Sequence, residues 1–328
     1  MMPSQSGLHW HKLGKVFGPE MGPSWMKTHA QVPTPLLDEA AGLIRVYFSS
    51  RPENGVSMMS YVDLDANDPL RILDINQSQL LALGKPGSFD EHGIMPSCAV
   101  RHANLVYLYY SGWSRATTVP YTNSTGLAIS EDGGRTFRRA GDGPVLAKSL
   151  GDPYSATSPF VMQHDGAWRM WYCSGTDWPL VDGKYEHVYD IKEAHSDDGI
   201  FWRPSGKVSL PATANEQALT RPWVVQLGAN WHLYYCHRNA SDFRDGAGAY
   251  RIAAATSADL KDWRQLGADG PGSGDFAAQS EPQWDARAQA YPALLRVGSR
   301  LLMFYNGNGF GAGGFGVAYA ELDHLTSK

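Results

Sequence analysis

The stretch Ser158–Gly175, SPFVMQHDGAWRMWYCSG, contains the pattern that decides the fold. A proline opens an apolar segment, a Gly-containing turn follows, and a second segment ends in aromatic side chains. Four further stretches have the same order: TPLLDEAAGLIRVYFSS (34–50), MPSCAVRHANLVYLYYSG (95–112), RPWVVQLGANWHLYYCHR (221–238) and YPALLRVGSRLLMFYNG (291–307). The prolines recur every 61 to 70 residues, and a repeat of this length made of short strands is typical of a β-propeller.

Each repeat divides into four strands. The template proline precedes the first strand, the aromatic segment is the second, and small apolar residues such as RIAAATSAD (251–259) form the third. A polar turn and a fourth strand follow, as in DDGIFWRPSG (197–206). We therefore expect an all-β chain that forms a single five-bladed β-propeller domain with four-stranded antiparallel blades. Within residues 1–328 the expected blades span roughly 25–85, 86–145, 150–210, 215–270 and 280–322.

The fifth repeat has no fourth strand of its own in the sequence. Its third strand, in GFGVAYAELDHLTSK (314–328), is followed by no further aromatic turn. The segment LHWHKLGKVFGP (8–19) has the missing pattern at the other end of the chain. We expect residues 8–18 to pair with the strand near 315–322, because this closes the last blade without an open sheet edge.

Composition limits the partners and the compartment. A net charge of −5 gives no reason to expect nucleic acid or an anionic membrane as a partner. No apolar run approaches the roughly 20 residues of a membrane helix, and MMPSQSGLHWHKLG does not resemble a signal peptide. Cys173 and Cys236 occupy the same position in two repeats, so we expect free thiols and a cytoplasmic protein. The 11 tryptophans and 16 tyrosines suit both an all-β core and a sugar site.

Long insertions follow the aromatic strands and mark one end of the predicted propeller. They lie at residues 112–125, 175–190, 238–250 and 306–314. Because loops of this length on one face usually build a site, we expect the site there. The residues just before the template prolines should face the central channel, where carboxylates from several blades would support acid–base chemistry.

At the level of motifs the chain resembles a known group of enzymes. The SPFV and DGAWRMWY segments within 158–172 and the SDDGIFW turn (196–202) look like those of glycoside-hydrolase propellers of the arabinanase, invertase and mannoside-phosphorylase type. The segments MPSCAV, PYTNSTGLAIS, DPYSATSP, EQALTRP and YNGNGFGAGGFG resemble poorly characterised bacterial members more closely. The resemblance covers essentially the whole chain and implies channel carboxylates that act on a glycosidic bond. An SEDGGRTF turn (130–137) also resembles sialidase blades, in which it is structural.

The chain departs from that group at the positions that matter for catalysis. Arabinanases place an Asp directly before the first template proline, where this chain has Thr34. The other repeats have Met95, Ser158, Arg221 and Tyr291 there, and the invertase motif WMNDPNG is absent. The catalytic residues of the group therefore cannot be carried over residue by residue.

Candidate residues follow from the predicted channel and loops. We expect Asp152, Glu216 and Glu281 to supply the acid, base or nucleophile. Arginines near the site suggest an anionic group on the substrate, because arginine makes bidentate contacts with carboxylate and phosphate. The expected substrate-binding residues are His29, Arg51, Glu91, His92, Tyr121, Asn123, Arg221, Arg238, Tyr291, Asn306 and Asn308.

These observations predict an enzyme that hydrolyses or transfers a glycosidic bond of a carbohydrate or of a glycosylated or anionic small molecule. Two alternatives stay open: a lyase, isomerase or cyclase acting on a small metabolite, and a sugar-binding propeller without catalysis. No zinc-type ligand spacing occurs, so no metal or cofactor is expected, although a structural calcium in the channel is compatible with the sequence.

Overall fold

The regular structure is almost entirely β. The computed structural model describes residues 8–267 and 283–322. In chain order the strands are β1 (His11–Phe17), β2 (Thr28–Asp38), β3 (Leu43–Arg51), β4 (Met58–Asp65), β5 (Ile72–Ile75), β6 (Gly93–His102), β7 (Leu105–Arg115), β8 (Tyr121–Ser130), β9 (Arg138–Arg139), β10 (Ser155–His164), β11 (Ala167–Asp177), β12 (Leu180–Val181), β13 (Lys184–Tyr185), β14 (Val188–Ser196), β15 (Arg203–Leu210), β16 (Gln217–Leu227), β17 (Asn230–Arg238), β18 (Arg251–Ser257), β19 (Arg264–Gln265), β20 (Ala290–Val297), β21 (Arg300–Asn306) and β22 (Phe315–Glu321). A 3₁₀ turn at Pro19–Met21 and a short helical turn, α1, at Asn308–Gly311 interrupt them.

The strands form four-stranded antiparallel groups that follow the chain order. Strands β2 to β5 form one sheet, and β16 to β19 form another. Strands β6 to β9 and the set β10, β11, β14 and β15 form two further groups, which a parallel pairing of Ala156 with Ser124 joins. The hairpin β12–β13 lies between β11 and β14 and pairs only with itself among the described strands. The prediction of an all-β chain with four-stranded antiparallel units is confirmed.

The N-terminal strand completes the group formed by the last repeat. Strand β1 pairs antiparallel with β22, from His11 opposite Tyr319 to Phe17 opposite Phe315, as the sequence predicted. The ring of Phe17 is fully buried and lies 4.8 Å from that of Phe48, in the first sheet. Strand β1 therefore belongs to the last sheet and packs against the first.

The first strand of four groups carries a bulge at the start of the apolar segment. In β2, β10, β16 and β20 the pairing with the next strand skips a residue, and the bulge residue has a positive φ. These residues are Val32 (52°), Ser158 (51°), Arg221 (60°) and Tyr291 (58°), and each directly precedes a proline.

The register corrects one position of the sequence repeat. Gln31 pairs with Ser49 as Thr157 pairs with Cys173, so the proline that matches Pro159 is Pro33. The sequence template had selected Pro35, two residues later. Thr34 is therefore not the counterpart of Arg221, and the residue before the matching proline is Val32.

A buried Asp–Tyr pair ties the loop before a first strand to the aromatic second strand in three of the groups. The tyrosine hydroxyl donates to the carboxylate of an aspartate that precedes it by 20 residues: Tyr110 to Asp90 (3.0 Å), Tyr172 to Asp152 (3.1 Å) and Tyr305 to Asp285 (2.8 Å). A cation pairs with each carboxylate: Arg139 at 2.7 Å, Lys192 at 3.4 Å and Lys12 at 2.8 Å. All three aspartates are about 1% exposed, so the pattern belongs to the packing of the groups.

Candidate functional site

A cavity of about 430 Å³ opens at the end of the sheets where the chain leaves the aromatic second strands. Its wall includes Arg51 at the end of β3, Tyr121 at the start of β8 and Glu186 between β13 and β14. Arg238 at the end of β17 and Phe310 in α1 also line the cavity. Residues from all four long insertions line this one cavity.

A smaller cavity of about 120 Å³ shares Met95, Tyr121, His187 and Tyr291 with the first. Its other lining residues come largely from the first strands: Val32, Pro96, Ser97, Thr157, Ser158 and Thr220. Val32, Met95, Ser158 and Tyr291, each of which directly precedes a proline, line this smaller cavity.

Aromatic rings form much of the wall of the larger cavity. Tyr250 packs against Tyr291 with ring centroids 5.6 Å apart and against Phe310 at 6.0 Å. Trp113, whose indole N–H donates to Ser57 Oγ at 2.7 Å, lies on the same wall. Flat apolar faces with few polar groups are the surfaces on which sugar rings pack.

Among the described residues, Glu186 is the one carboxylate that lines the cavity. It is buried, and Arg244 forms an ion pair with its Oε1. Sequence reasoning missed both residues. Each lies in a long insertion that the sequence had marked, but no motif distinguished either from its neighbours.

Arg238 is a second cation of the wall, and its neighbours hold it in place. It is 2% exposed, and its guanidinium donates to the carbonyl oxygens of Asn239 (3.1 Å) and His187 (2.9 Å). The same group lies 3.7 Å from the ring centroid of Phe243. Two hydrogen bonds and a stacked ring hold the guanidinium in place, and its other N–H groups remain as donors for a ligand.

His187 joins the polar groups of the wall in its neutral form. Its Nδ1 lies 2.7 Å from the Tyr121 hydroxyl, and its ring stacks on Tyr189 at 4.4 Å. Burial, with Arg238 and Arg244 nearby, lowers the pKa of His187 to about 3. The imidazole is therefore uncharged near neutral pH and can donate or accept a hydrogen bond.

Five of the residues predicted from the sequence line the cavity. They are Arg51, Tyr121, Asn123, Arg238 and Tyr291. The Nδ2 of Asn123 donates to the Tyr189 hydroxyl at 3.4 Å, while its Oδ1 is buried without a hydrogen-bond partner among the described residues. An acceptor of this kind suits a hydroxyl group of a ligand.

Asp152, which was predicted to be catalytic, does not line the cavity. Its carboxylate accepts hydrogen bonds from Tyr172 and from Ser174 Oγ (2.7 Å), and it pairs with Lys192. It is one of the three buried Asp–Tyr pairs, so its neighbours use its acceptor capacity within the fold.

Glu216 also lies outside the cavity wall. Its Oε2 accepts a hydrogen bond of 2.9 Å from Gln265 Nε2, and its Oε1 lies 3.9 Å from His237 Nε2. The side chain is 33% exposed, in a loop-to-strand position beside β16. The third predicted catalytic residue, Glu281, lies outside the described residues.

Arg221 is fully buried, away from both cavity walls. It donates to the carbonyl oxygens of Pro33 (2.9 Å) and Pro96 (3.2 Å) and to Thr34 Oγ1 (2.8 Å). Burial lowers its pKa to about 10, so it is still charged near neutral pH. It joins β16 to the first strands of two other groups, whereas the sequence had suggested a contact with substrate.

Asn306, which was predicted to bind substrate, makes hydrogen bonds within the fold and lines neither cavity. Its Nδ2 donates to the carbonyl oxygens of Ala30 (2.7 Å) and Gly314 (2.8 Å). Its Oδ1 accepts the N–H of the bulge residue Val32 at 2.7 Å. The hydrogen bonds of the fully buried amide therefore connect β21 to β2.

Asn308 likewise holds backbone. Its Oδ1 accepts the N–H groups of Arg287 (2.8 Å) and Ala288 (3.0 Å), and its Nδ2 donates to the carbonyl of Gln283. It therefore fastens the segment before β20 to α1, and it is absent from the wall of either cavity.

The remaining predicted residues lie beside the cavity. His29 is next to Arg51, and burial together with that cation lowers the pKa of His29 to about 4. Glu91 Oε2 accepts the N–H of Gly87, and His92 Nδ1 lies 3.5 Å from Glu91. None of the three lines the cavity wall.

Within residues 8–267 and 283–322, no cluster of three or more His, Cys, Asp or Glu side chains is arranged to hold a metal ion. None of the helices in that part of the chain is both long and apolar enough to cross a bilayer.

Comparison with known proteins finds an uncharacterized relative of similar sequence and several solved structures of similar fold. The chain matches no protein-family model. The uncharacterized protein Rv1502 of Mycobacterium tuberculosis is 36% identical over 315 residues, which cover 96% of this chain and 100% of that protein. The solved structure of a BT0996 RGII complex superposes with a TM-score of 0.72 at 15% identity, and the match covers 96% of this chain and 92% of the other.

A structure from a study of the GH130 family of mannoside phosphorylases has a TM-score of 0.67 at 14% identity. It covers 100% of this chain and 99% of its own. These neighbours are glycoside hydrolase-like propeller proteins, and the chain shares their fold. At such low identity the likeness concerns the fold alone.

Proposed function

The chain belongs to the family of the uncharacterized Mycobacterium tuberculosis protein Rv1502, and we propose that it is a carbohydrate-active enzyme that hydrolyses or transfers a glycosidic bond in the larger cavity. The proposal is carried by one observation about the cavity lining. Among the described residues there, Glu186 is the single carboxylate, and aromatic rings and guanidinium groups surround the same cavity. The likeness to glycoside hydrolase folds supports it.

Glu186 takes the role of the ionised carboxylate in this proposal. Arg244 forms an ion pair with it, and a carboxylate oxygen can accept a proton or a hydrogen bond. In hydrolysis it would take a proton from the attacking water while the water oxygen bonds to the anomeric carbon. The glycosidic C–O bond breaks, and the leaving oxygen takes a proton from a second group. In transfer, a hydroxyl or another oxygen nucleophile replaces the water.

Glu281, which the sequence suggested as acid, base or nucleophile, is our candidate for the proton donor on the sequence argument alone. Asp152 and Glu216, the other two candidates, are tested beside it. We expect the Asp152→Asn and Glu216→Gln variants to keep their turnover per folded molecule, because neither residue lines the cavity. We further propose that the four-stranded groups are the blades of a five-bladed propeller around one channel, in a cytoplasmic protein.

The test is turnover of a panel of aryl glycosides and oligosaccharides by the full-length protein, followed by nuclear magnetic resonance of the products. On a substrate so found, Glu186→Gln should lower kcat by about 10²–10⁴-fold, which is typical for loss of a general base. The matched control is Glu131→Gln, because Glu131 is an exposed carboxylate on an outer turn. Full activity of Glu186→Gln would contradict the assignment. A product with an intact glycosidic bond would instead favour a lyase, isomerase or cyclase.

A sugar-binding protein without turnover is the second candidate. It is favoured by the ion pair that neutralises Glu186 and by the lack of a second carboxylate in the described part of the cavity wall. Calorimetry combined with long incubation decides between the two. Tight binding of a sugar that is recovered unchanged would support the second candidate.

A further inference from the structure

One guanidinium in the cavity lacks a counter-ion in the described structure. Arg51 lies at the end of β3, half-buried, and lines the cavity. Its side chain makes no hydrogen bond or ion pair with any of the described residues. Burial lowers its pKa, which reflects the cost of holding an uncompensated charge there.

The neighbouring charges do not compensate for it. Arg238 is a second cation of the wall, and its contacts are neutral carbonyl oxygens and a ring. The charge of Glu186 is matched by Arg244. His187 is neutral near pH 7, since burial keeps its pKa low. The described cavity wall therefore carries an excess of two positive charges in a chain whose net charge is −5.

This arrangement fits a negatively charged ligand group. A guanidinium presents a planar fork of N–H donors that matches the two oxygens of a carboxylate, phosphate or sulfate. Arg238 is already oriented by its neighbours, so little side-chain entropy is lost when it binds. The overall negative charge would repel such a ligand elsewhere on the surface, which leaves the cavity as the favourable place.

We propose that Arg51, supported by Arg238, is an oxyanion-binding subsite of the cavity, so that the ligand brings a carboxylate, phosphate or sulfate group. The oxyanion can be part of an acidic sugar, or it can be inorganic phosphate that binds beside a neutral sugar. That the rest of the ligand is a sugar rests on the proposed function, whereas the anion site rests on the two arginines.

Calorimetry on the full-length protein tests the subsite without any need for turnover. The probes are inorganic phosphate, glucuronate, glucose 6-phosphate and, as the neutral reference, glucose. We expect at least one oxyanion to bind at least about tenfold more tightly than glucose, and Arg51→Gln to weaken it by about 10–100-fold, the loss expected for a charge-assisted hydrogen bond. Arg51→Lys should retain part of the affinity, because it keeps the charge but loses the fork.

The matched control is Arg138→Gln, since Arg138 is an exposed arginine on β9. Binding of phosphate alone would identify a separate anion, whereas binding of glucuronate or glucose 6-phosphate without phosphate would identify a charged sugar. The subsite is disproved if no oxyanion binds better than glucose, or if Arg51→Gln binds as the wild type does.

The same measurements separate this inference from the proposed function. Turnover of neutral sugars by both the wild type and Arg51→Gln, with no oxyanion that binds better than glucose, would leave the enzyme proposal intact and remove the subsite. Anion binding that depends on Arg51, in a protein that leaves every glycoside unchanged, would keep the subsite and remove the enzyme proposal.

Discussion

The Tyr172 hydroxyl donates a hydrogen bond of 3.1 Å to Asp152 Oδ1, inside the fold and away from the cavity. The same bond occurs between the residues that occupy these places in two other groups. Its recurrence shows that this aspartate serves the packing of a group, whatever chemistry the cavity performs.

Removal of that carboxylate should therefore affect stability. Asp152→Ala removes the acceptor of the Tyr172 hydroxyl and the counter-ion of Lys192, and we expect the free energy of unfolding to fall by about 3–5 kcal/mol. Urea denaturation measures the change. Asp142→Ala, at an exposed loop position, is the control. A variant of unchanged stability that loses ligand turnover would contradict this explanation.

Arg221 should contribute at least as much as Asp152 to the free energy of unfolding. Its guanidinium donates to two carbonyl oxygens and one hydroxyl on first strands of two other groups. We expect Arg221→Ala to cost about 3–5 kcal/mol, because it leaves buried acceptors unpaired and a void at full burial. Guanidinium chloride denaturation is the measurement. Arg101→Ala, which removes an exposed arginine, should change stability by less than about 1 kcal/mol.

Asn306 should influence the cavity through the bulge of β2. Asn306→Ala removes the acceptor for the Val32 N–H and the donor to two carbonyl oxygens. We expect a loss of about 2–4 kcal/mol in stability and weaker ligand binding, because Gln31 of the same bulge lines the cavity. Thermal denaturation and calorimetry together measure both effects. Asn308→Ala, which removes a less buried amide in the neighbouring turn, is the comparison, and equal losses in the two variants would refute the special role of Asn306.

Stability should fall in acid because of His187. Its pKa is about 3 in the folded protein, below the ordinary value of 6.5, since burial and the nearby Arg238 disfavour the charged form. As the pH falls below about 6.5, the unfolded chain binds a proton that the folded protein excludes until about pH 3. Each such group lowers stability by up to about 1.4 kcal/mol per pH unit.

His29, whose pKa is about 4, adds to the loss with the same sign. Chemical denaturation at pH values between 4 and 7 should therefore give a smaller slope for His187→Gln than for the wild type. His164→Gln, at a hairpin turn, is the control. Identical slopes in the wild type and His187→Gln would show that the imidazole does not titrate as described.

The packing of β1 between the last sheet and the first should contribute measurably to the stability of the protein. Phe17→Ala removes a fully buried ring that contacts Phe48 of the first sheet and Phe315 of its own. We expect a loss of about 3–5 kcal/mol. Leu13→Ala, on an exposed part of the same strand, should cost far less. Equal losses would mean that strand pairing, and not the ring, holds the two sheets together.

The fold was largely readable from the sequence because its signals are local and repeated. The aromatic second strands, the turns such as Asp165–Gly166 and the closing strand around Phe17 all lie where the pattern predicted. The one misplaced mark, Pro35 for Pro33, arose because two prolines lie two residues apart and only the bulge register distinguishes them.

The sequence pattern predicted which segments line the cavities but not which carboxylate does. Residues of the long insertions line the cavities, as do all the residues directly before the repeat prolines except Arg221. A carboxylate's role, however, depends on what surrounds it in space, and Glu186 and Asp152 look alike in sequence. One signal was available: Asp90, Asp152 and Asp285 each precede a tyrosine by 20 residues, which marks them as members of the repeat.

The pairing of β1 with β22 also sets the order of events when the chain is made. Strand β1 is synthesised first, yet its partner ends at Glu321. On the ribosome the sheet that contains β1 and β22 therefore cannot form until almost all the other strands have been made. Until then the edge of β1 has no strand to pair with. Contacts between such distant segments make folding slow. A chain cut short before Phe315 would have no strand with which β1 could pair.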